Sequence, residues 1–354
     1  MPSSSTYSVI QTNPAQTHQA HDNTHEAWDR NLTPEKFHER EDRLDNCEFA
    51  RDNLKTYALI RADNPETLDL LSHLEVFIRP ALVRFPQNPG QVERVKAASV
   101  ASVFTPSKYR QNGYAKQLLL GVLDTLRNQG IVVSNLYSDV GPELYSRLGW
   151  RVYSPEHLQI EVGQRNIALS DINLKPQPIK NELLGKIVQR DCELLEKEFT
   201  SNAQLGHRKP AVLLLPTEPV YHWFWERSNF YATEVESQPK ISKLGVYLPG
   251  TPYFAIWYPD YLEKSLVVLR IRLPKDDPNA IFEAFMHHAK EEAIAHKLTH
   301  VVIWNLDHNV WKGRYDQEPG INWITRTGAL SSMAWIPDLS QEVEWYNNEK
   351  FCWV

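Results

Sequence analysis

The sequence is poor in several things that would have decided its class at once. It has only three cysteines in 354 residues, Cys47, Cys192 and Cys352, far apart and with no CxxC pair. That excludes a disulfide scaffold and a zinc ribbon, and reduced thiols in a cytoplasmic protein are expected. No run approaches the roughly 18 apolar residues of a membrane span. The start, "MPSSSTYSVIQTNPAQ", lacks the apolar core of a signal peptide. Positive charge is not in surplus either: the formal net charge is −6. A nucleic-acid backbone would meet no basic field, so no such partner is expected. There is no GK[ST] of a Walker loop, no G-x-G-x-x-G and no G-x-S-x-G elbow.

What remains is an ordinary globular composition, 42% hydrophobic and 23% charged, long enough for two domains. The tryptophans are uneven: nine of the eleven lie beyond residue 200. "YSVIQTN" (Tyr7–Asn13) reads as a strand. The polar stretch from Ala15 to about Asn46 is helix-prone, with Thr33 as N-cap and Pro34 at the first helical position. Strands are expected at Leu54–Ala62, Leu70–Val83, Ala98–Phe104 and Ile131–Asp139. Between the last two, Ala115, Leu118, Leu119, Val122, Leu123 and Leu126 recur at helical spacing, and Gly130 stops the helix. A short helix is expected at Gly141–Trp150. Leu174–Gln189 reads as a connection into a helix. The second half holds its own strand–helix–strand, Leu266 to Leu306, whose helix carries Ile281, Phe285, Ala289 and Ala293 on one face. "PKDDPN" stands where a glycine turn would be.

The informative stretch is "RQNGYAKQLLLGVLDTLRNQG" (Arg110–Gly130). A strand, then a glycine turn, then an amphipathic helix offers unpaired backbone N–H groups to an anion. Gly113 permits close approach and Ala115 keeps the surface small. Helix-start packing is the competing use of the same glycine.

The ordered set resembles the GCN5-related N-acetyltransferase (GNAT) superfamily. Arg110, Gly113 and Ala115 match its R/Q-x-x-G-x-G/A signature, and Tyr145 in "LYSRLGW" matches the tyrosine of its F/L-Y-x-x-x-G-F segment. "HLEVFIRPALV", "VFTPSKYRQNGYAKQLL", "LYSDVGPELYSRLGW" and "VEWYNNEKFCWV" further resemble the fungal L-lysine N6-acetyltransferases of lysine catabolism. The resemblance implies an α/β acyl-CoA N-acyltransferase fold at residues 1–170, a linker at 171–189, and a GNAT-like C-terminal domain at 190–354 without a phosphate loop. It implies acetyl-CoA as co-substrate and a small amine, L-lysine, as acceptor; no metal is expected, because no cysteine or second ligand cluster accompanies His18, His21 and His25. A protein lysine acetyltransferase and a non-catalytic acyl-CoA-binding module are the alternatives.

Under that resemblance the coenzyme pyrophosphate would rest on Arg110, Gln111, Asn112, Gly113, Tyr114, Ala115 and Lys116. The splayed strand edge near Ser102–Phe104 would hold the pantetheine arm, with the Val103 amide polarising the thioester carbonyl. Tyr145 is the expected general acid. The amine must arrive neutral or lose a proton, since a lysine ammonium has a pKa of about 10.4. Glu75, a carboxylate in mid-strand, is the candidate base, with His73 on the same face a weaker one. Asp139 and Ser138 are expected to cap the helix of Tyr145, with contact to the pantetheine arm as the alternative. Arg79 and Arg51, or an arginine of the second half, are candidates to fork the carboxylate of free lysine. His18, His21 and His25 share a helix face in polar surroundings, and His287 and Glu291 form a solvated pair. "VYHWFWERSNFYA" (Val220–Ala232) is expected to be core or domain-interface packing, with a wall of the amine pocket as its alternative use.

Overall fold

In the computed structural model, residues 6–88, 90–163, 174–202, 209–306 and 318–354 are described. Strand β1 (Tyr7–Gln11) leads into helices α1 (Pro14–Trp28), α2 (Pro34–Asp45) and the single turn α3 (Glu48–Arg51). Strands β2 (Leu54–Arg61), β3 (Ser72–Arg84) and β4 (Glu93–Phe104) precede α4 (Tyr114–Asn128), β5 (Val133–Ser138), the short α5 (Glu143–Ser146) and β6 (Arg151–Val152). Then come β7 (Glu156–Glu161), β8 (Gln177–Pro178), α6 (Asn181–Asn202), β9 (Ala211–Leu214), α7 (Glu218–Glu234), β10 (Gly245–Tyr247), β11 (Phe254–Asp260) and β12 (Ser265–Arg272). Helix α8 (Asn279–Ala295), β13 (His300–Trp304), β14 (Ile321–Thr325), β15 (Leu330–Trp335) and β16 (Glu344–Tyr346) complete the order.

The polar stretch 15–46 forms two helices rather than one. Asn13 caps α1 through a reciprocal capping box with Gln16, and Thr33 Oγ1 accepts the Lys36 amide to start α2, as its sequence predicts. Helix α4 buries Leu118, Leu119, Val122, Leu123 and Leu126 on the sheet, each burial worth about 1.5–3 kcal/mol. Gly121 lets it sit close, since a Cβ there would lie 2.6 Å from Val9.

The strands fall into two sheets. The first has the order β1-β2-β3-β4-β5-β15-β6, with β9 on β3 and β16 on β9; the second has β14-β7-β13-β12-β11-β10-β8. The sheets do not divide at residues 171–189. Strand β7, expected in the first domain, belongs to the second sheet, while β9, β15 and β16 join the first. Strand β15 lies antiparallel to β5, Leu330 opposite Ser138 and Trp335 opposite Val133. Helix α6 already begins at Asn181, inside the expected linker, whose residues 171–173 lie outside the described residues. The halves are interlaced because backbone edges, not chain order, set which strands pair.

The second sheet repeats the crossover of the first: β12 and β13 are parallel, with α8 between them in sequence. Their pairing ends at Val268–Ile303, although β12 continues to Arg272. Beyond that point Arg270 and Arg272 bind the buried Asp191 carboxylate of α6, and Glu349 accepts the Ile271 amide at 3.0 Å. This end of β12 is therefore occupied by the protein's own carboxylates. Helix α8 starts at Pro278 without a glycine turn.

Candidate active site

The first sheet treats the equivalent place differently. Strands β4 and β5 pair in parallel from Ala97–Val133 to Val100–Leu136 and then part, although β4 reaches Phe104 and β5 reaches Ser138. Opposite β3, Ala101 pairs with Glu75 and Phe104 with His73, so Ser102 and Val103 bulge out of register. Ser102 adopts a left-handed φ of 51°, and its Oγ donates to Glu75 Oε2 at 2.7 Å. The bulge thus ties the strand edge to the carboxylate.

Below this divergence the chain turns into α4. Gln111 and Gly113 have φ of 66° and 75°. Gly113 is the N-cap and offers no side chain; the first intrahelical bond is from Gln117 N to Gly113 O. Among the described residues, no acceptor takes the amides of residues 111–116. Asn112 Nδ2 donates to the carbonyls of Tyr109 and Arg110, and Arg110 Nε donates to Thr105 O, so side chains tie the turn's oxygens and leave its N–H groups available. Arg110, Gln111, Asn112, Gly113 and Lys116 are exposed, and Tyr114 and Ala115 half-buried. This cradle suits a pyrophosphate.

A cavity of about 240 Å³ opens where β4 and β5 part. Val103, Ser102 and Tyr145 line it, together with Glu75, His21 and Glu41 and with Trp223, Arg227 and Trp353. Helices α1, α2 and α7 and the C-terminal segment therefore close over a strand edge. The glycine turn lies outside that lining.

Tyr145 is buried against Trp150, ring centroids 6.4 Å apart and nearly perpendicular. Burial, with the Asp139 charge adding to it, pushes its phenol up to about 12, so it stays protonated at neutral pH. Burial also pushes against the Glu75 charge, but the nearby His21 charge and the hydrogen bond from the Ser102 hydroxyl outweigh it and hold the carboxyl below its ordinary range. The partner responds oppositely. Burial alone would lower His21, yet Glu75, Glu41 and Asp45 lift it to about 9. His21 Nε2 lies 3.7 Å from Glu75 and 3.9 Å from Asp45. Burial, then Glu75, raises Asp45 to about 7. A chain of three titratable groups thus leads from the cavity to the half-exposed Asp45.

Several expected roles are corrected. Arg79 is fully buried; its Nη1 and Nη2 donate to the carbonyls of Cys352 and Phe351 at 3.2 and 3.1 Å. It anchors the segment that delivers Trp353 to the cavity and is not available to a substrate. Arg51 is exposed beside Asp52, away from the cavity. His73 packs on Phe104 outside the cavity wall, and burial lowers it to about 4, leaving Glu75 as the carboxylate at the site. Neither Ser138 nor Asp139 caps α5: Ser138 Oγ donates to Gly141 O, and Asp139 accepts the Ala329 amide at 2.7 Å. The three α1 histidines do not act together. His21 turns to Glu75, His25 meets Leu32 O, and His18 stacks on His38 with Asp22 between them. His287 pairs with Glu291 at 3.5 Å on an exposed face. In the aromatic run of α7 both uses occur: Tyr221, Phe224, Trp225, Phe230 and Tyr231 are core, while Trp223 and Arg227 line the cavity. Sequence reasoning did not single out Glu41, Arg227 or Trp353, and nothing local to them marks the shared cavity.

Comparison with known proteins agrees with this geometry. Residues 159–354, more than half the chain, match the family described as LYC1 GNAT-like C-terminal domain, and residues 8–153 match the acetyltransferase (GNAT) domain. The chain belongs to the GNAT acetyltransferases, with two GNAT-like domains. It is an N-acetyltransferase that takes its acetyl group from acetyl-CoA. It is 22% identical to a protein of Yarrowia lipolytica named lysine acetyltransferase, over 84% of this chain and 83% of that one. An uncharacterised protein of Saccharomyces cerevisiae is also 22% identical, over 92% of each. In fold, a GCN5-related N-acetyltransferase from Kribbella flavida superposes with a TM-score of 0.56 at 16% identity, over 92% of this chain and 70% of that one.

Proposed function

We propose that the protein acetylates the N6 amine of free L-lysine by direct attack within a ternary complex. One observation carries the reading: the bulged strand edge, Tyr145 and Glu75 line a single cavity. Its volume lies below the ~300–1,000 Å³ of drug-sized pockets, which suits a small amine better than a folded protein segment.

Acetyl-CoA supplies an activated thioester. The chain's own groups do the rest. The amides of residues 111–116 hold the pyrophosphate. The Val103 N–H faces the carbonyl oxygen as charge builds there. Glu75 binds the substrate ammonium and takes its proton as the amine attacks the thioester carbonyl. Tyr145, protonated at neutral pH, donates to the departing thiolate.

The test is a screen of amines by CoA release. L-lysine is expected to give turnover well above other amino acids and above lysine-containing peptides. Turnover with peptides alone contradicts the proposal.

Gly113 tests the coenzyme half. A Cβ there meets no atom within 4 Å, so substitution acts through the left-handed backbone rather than a clash. A β-branched residue in that region costs about 1–2 kcal/mol. Gly113→Val is therefore expected to weaken acetyl-CoA binding by roughly 5- to 30-fold in calorimetry. Gly113→Asn, which tolerates this conformation, should stay much closer to wild type. Equal affinities for all three would remove the turn from the binding site.

A further inference from the structure

We propose that Arg227 is a carboxylate-binding subsite that makes the acceptor an amino acid rather than a simple alkyl amine. The inference deepens the acetyl-acceptor reading above and rests on it.

Arg227 is half-buried on α7 and lines the cavity. Among the described residues no carboxylate pairs with it; its guanidinium lies 5.1 Å from the Trp353 ring centroid. Its neighbours differ. Arg40, which also lines the cavity, is held by Glu41 and the Tyr231 hydroxyl. Arg43 meets Glu39, Glu226 and Glu234. A guanidinium withdrawn from water without an anion is costly unless something arrives to pair with it. The aromatic contact fixes its direction without neutralising it.

The surroundings strengthen the case. The Lys350 amine lies 4.0 Å from the same Trp353 ring and 4.0 Å from that of Trp304. Arg227 and Lys350 thus share one indole, and burial lowers the Lys350 amine to about 7, leaving Arg227 the lasting charge there. The same cavity lining carries Glu41 and Glu75. Arg30, Arg40, His21 and Asp139 line it too, but Arg40 is held by Glu41 and His21 by Glu75 and Asp45. A molecule carrying both an ammonium and a carboxylate fits a cavity lined by Glu75 and Arg227. The coenzyme phosphates do not claim Arg227, because their amide cradle lies outside this cavity.

The chemistry is therefore that of a diamino acid. Its distal amine would sit at Glu75 and its α-carboxylate on the planar fork of Arg227. The test compares L-lysine with 1,5-diaminopentane, which is lysine without its carboxylate. Wild type is expected to prefer lysine, mainly through KM. Arg227→Ala should reduce the lysine-over-diaminopentane preference by about 10- to 100-fold, as expected for loss of a hydrogen-bonded charge pair. Arg227→Lys, which keeps the charge and loses the fork, should fall between them, and it serves if the alanine variant does not fold. Unchanged acetyl-CoA affinity in these variants would place the effect on the acceptor. An equal loss on both substrates, or an unchanged preference, overturns the subsite while leaving lysine acetylation intact. Turnover of neither amine by wild type overturns the lysine reading itself, and the subsite with it.

Discussion

Tyr145→Phe is expected to lower kcat by about 10²–10⁴, the usual range for a lost general acid, while acetyl-CoA binds as before. The substitution removes one oxygen and nothing else. The ring keeps its edge contact with Trp150 and its burial. Stability should therefore change little. The thiolate would leave unprotonated, so the loss should appear in kcat rather than in KM for the amine. Single-turnover kinetics with saturating coenzyme measures this directly. A variant with undiminished kcat would assign Tyr145 to packing alone.

Glu75→Gln is expected to cost a similar factor in kcat, and it carries a second readout. The change keeps the side chain's shape and removes the charge that offsets burial of His21. His21 should then titrate well below the value of about 9 it has beside Glu75, with Asp45 and Glu41 alone supporting its charge. Imidazole resonances followed by NMR across pH measure this. The linked stability effect has a definite sign. A pKa raised from 6.5 to about 9 adds stability that is fully present below pH 6.5 and is lost as pH rises through 9. Wild-type Tm should decline across that window, and the variant's decline should be smaller. Retention of both full activity and the high His21 pKa would show that Glu75 neither takes the proton nor holds the imidazole.

Local pattern made part of this legible. The spacing of Leu118, Leu119, Val122, Leu123 and Leu126 is a burial signal that any packing partner satisfies, so α4 could be read from the chain alone. The glycine turn, Tyr145 and Glu75 were readable because each sits in a short ordered motif or interrupts an apolar strand. What escaped depends on distant partners. Arg79 reads as a strand surface residue, yet it is buried because carbonyls of residues 351 and 352 reach it. His21 reads as a polar helix residue until α1 packs over β3 and brings Glu75 within 3.7 Å. The six-residue β15 carries no mark that it will lie against β5. Arg227 is hidden in an aromatic run whose core members set its apparent character. Periodicity reports that a face is buried; it does not report by what.

Hydrogen exchange of the wild-type protein with and without acetyl-CoA tests the central claim most directly. Two separate segments should gain protection together: the amides of residues 111–116, which have no acceptor among the described residues, and those of Ser102–Phe104 on the bulged edge of β4. Protection confined to other segments, or saturating coenzyme that leaves both unchanged, would contradict the placement of the coenzyme and the chemistry built on it.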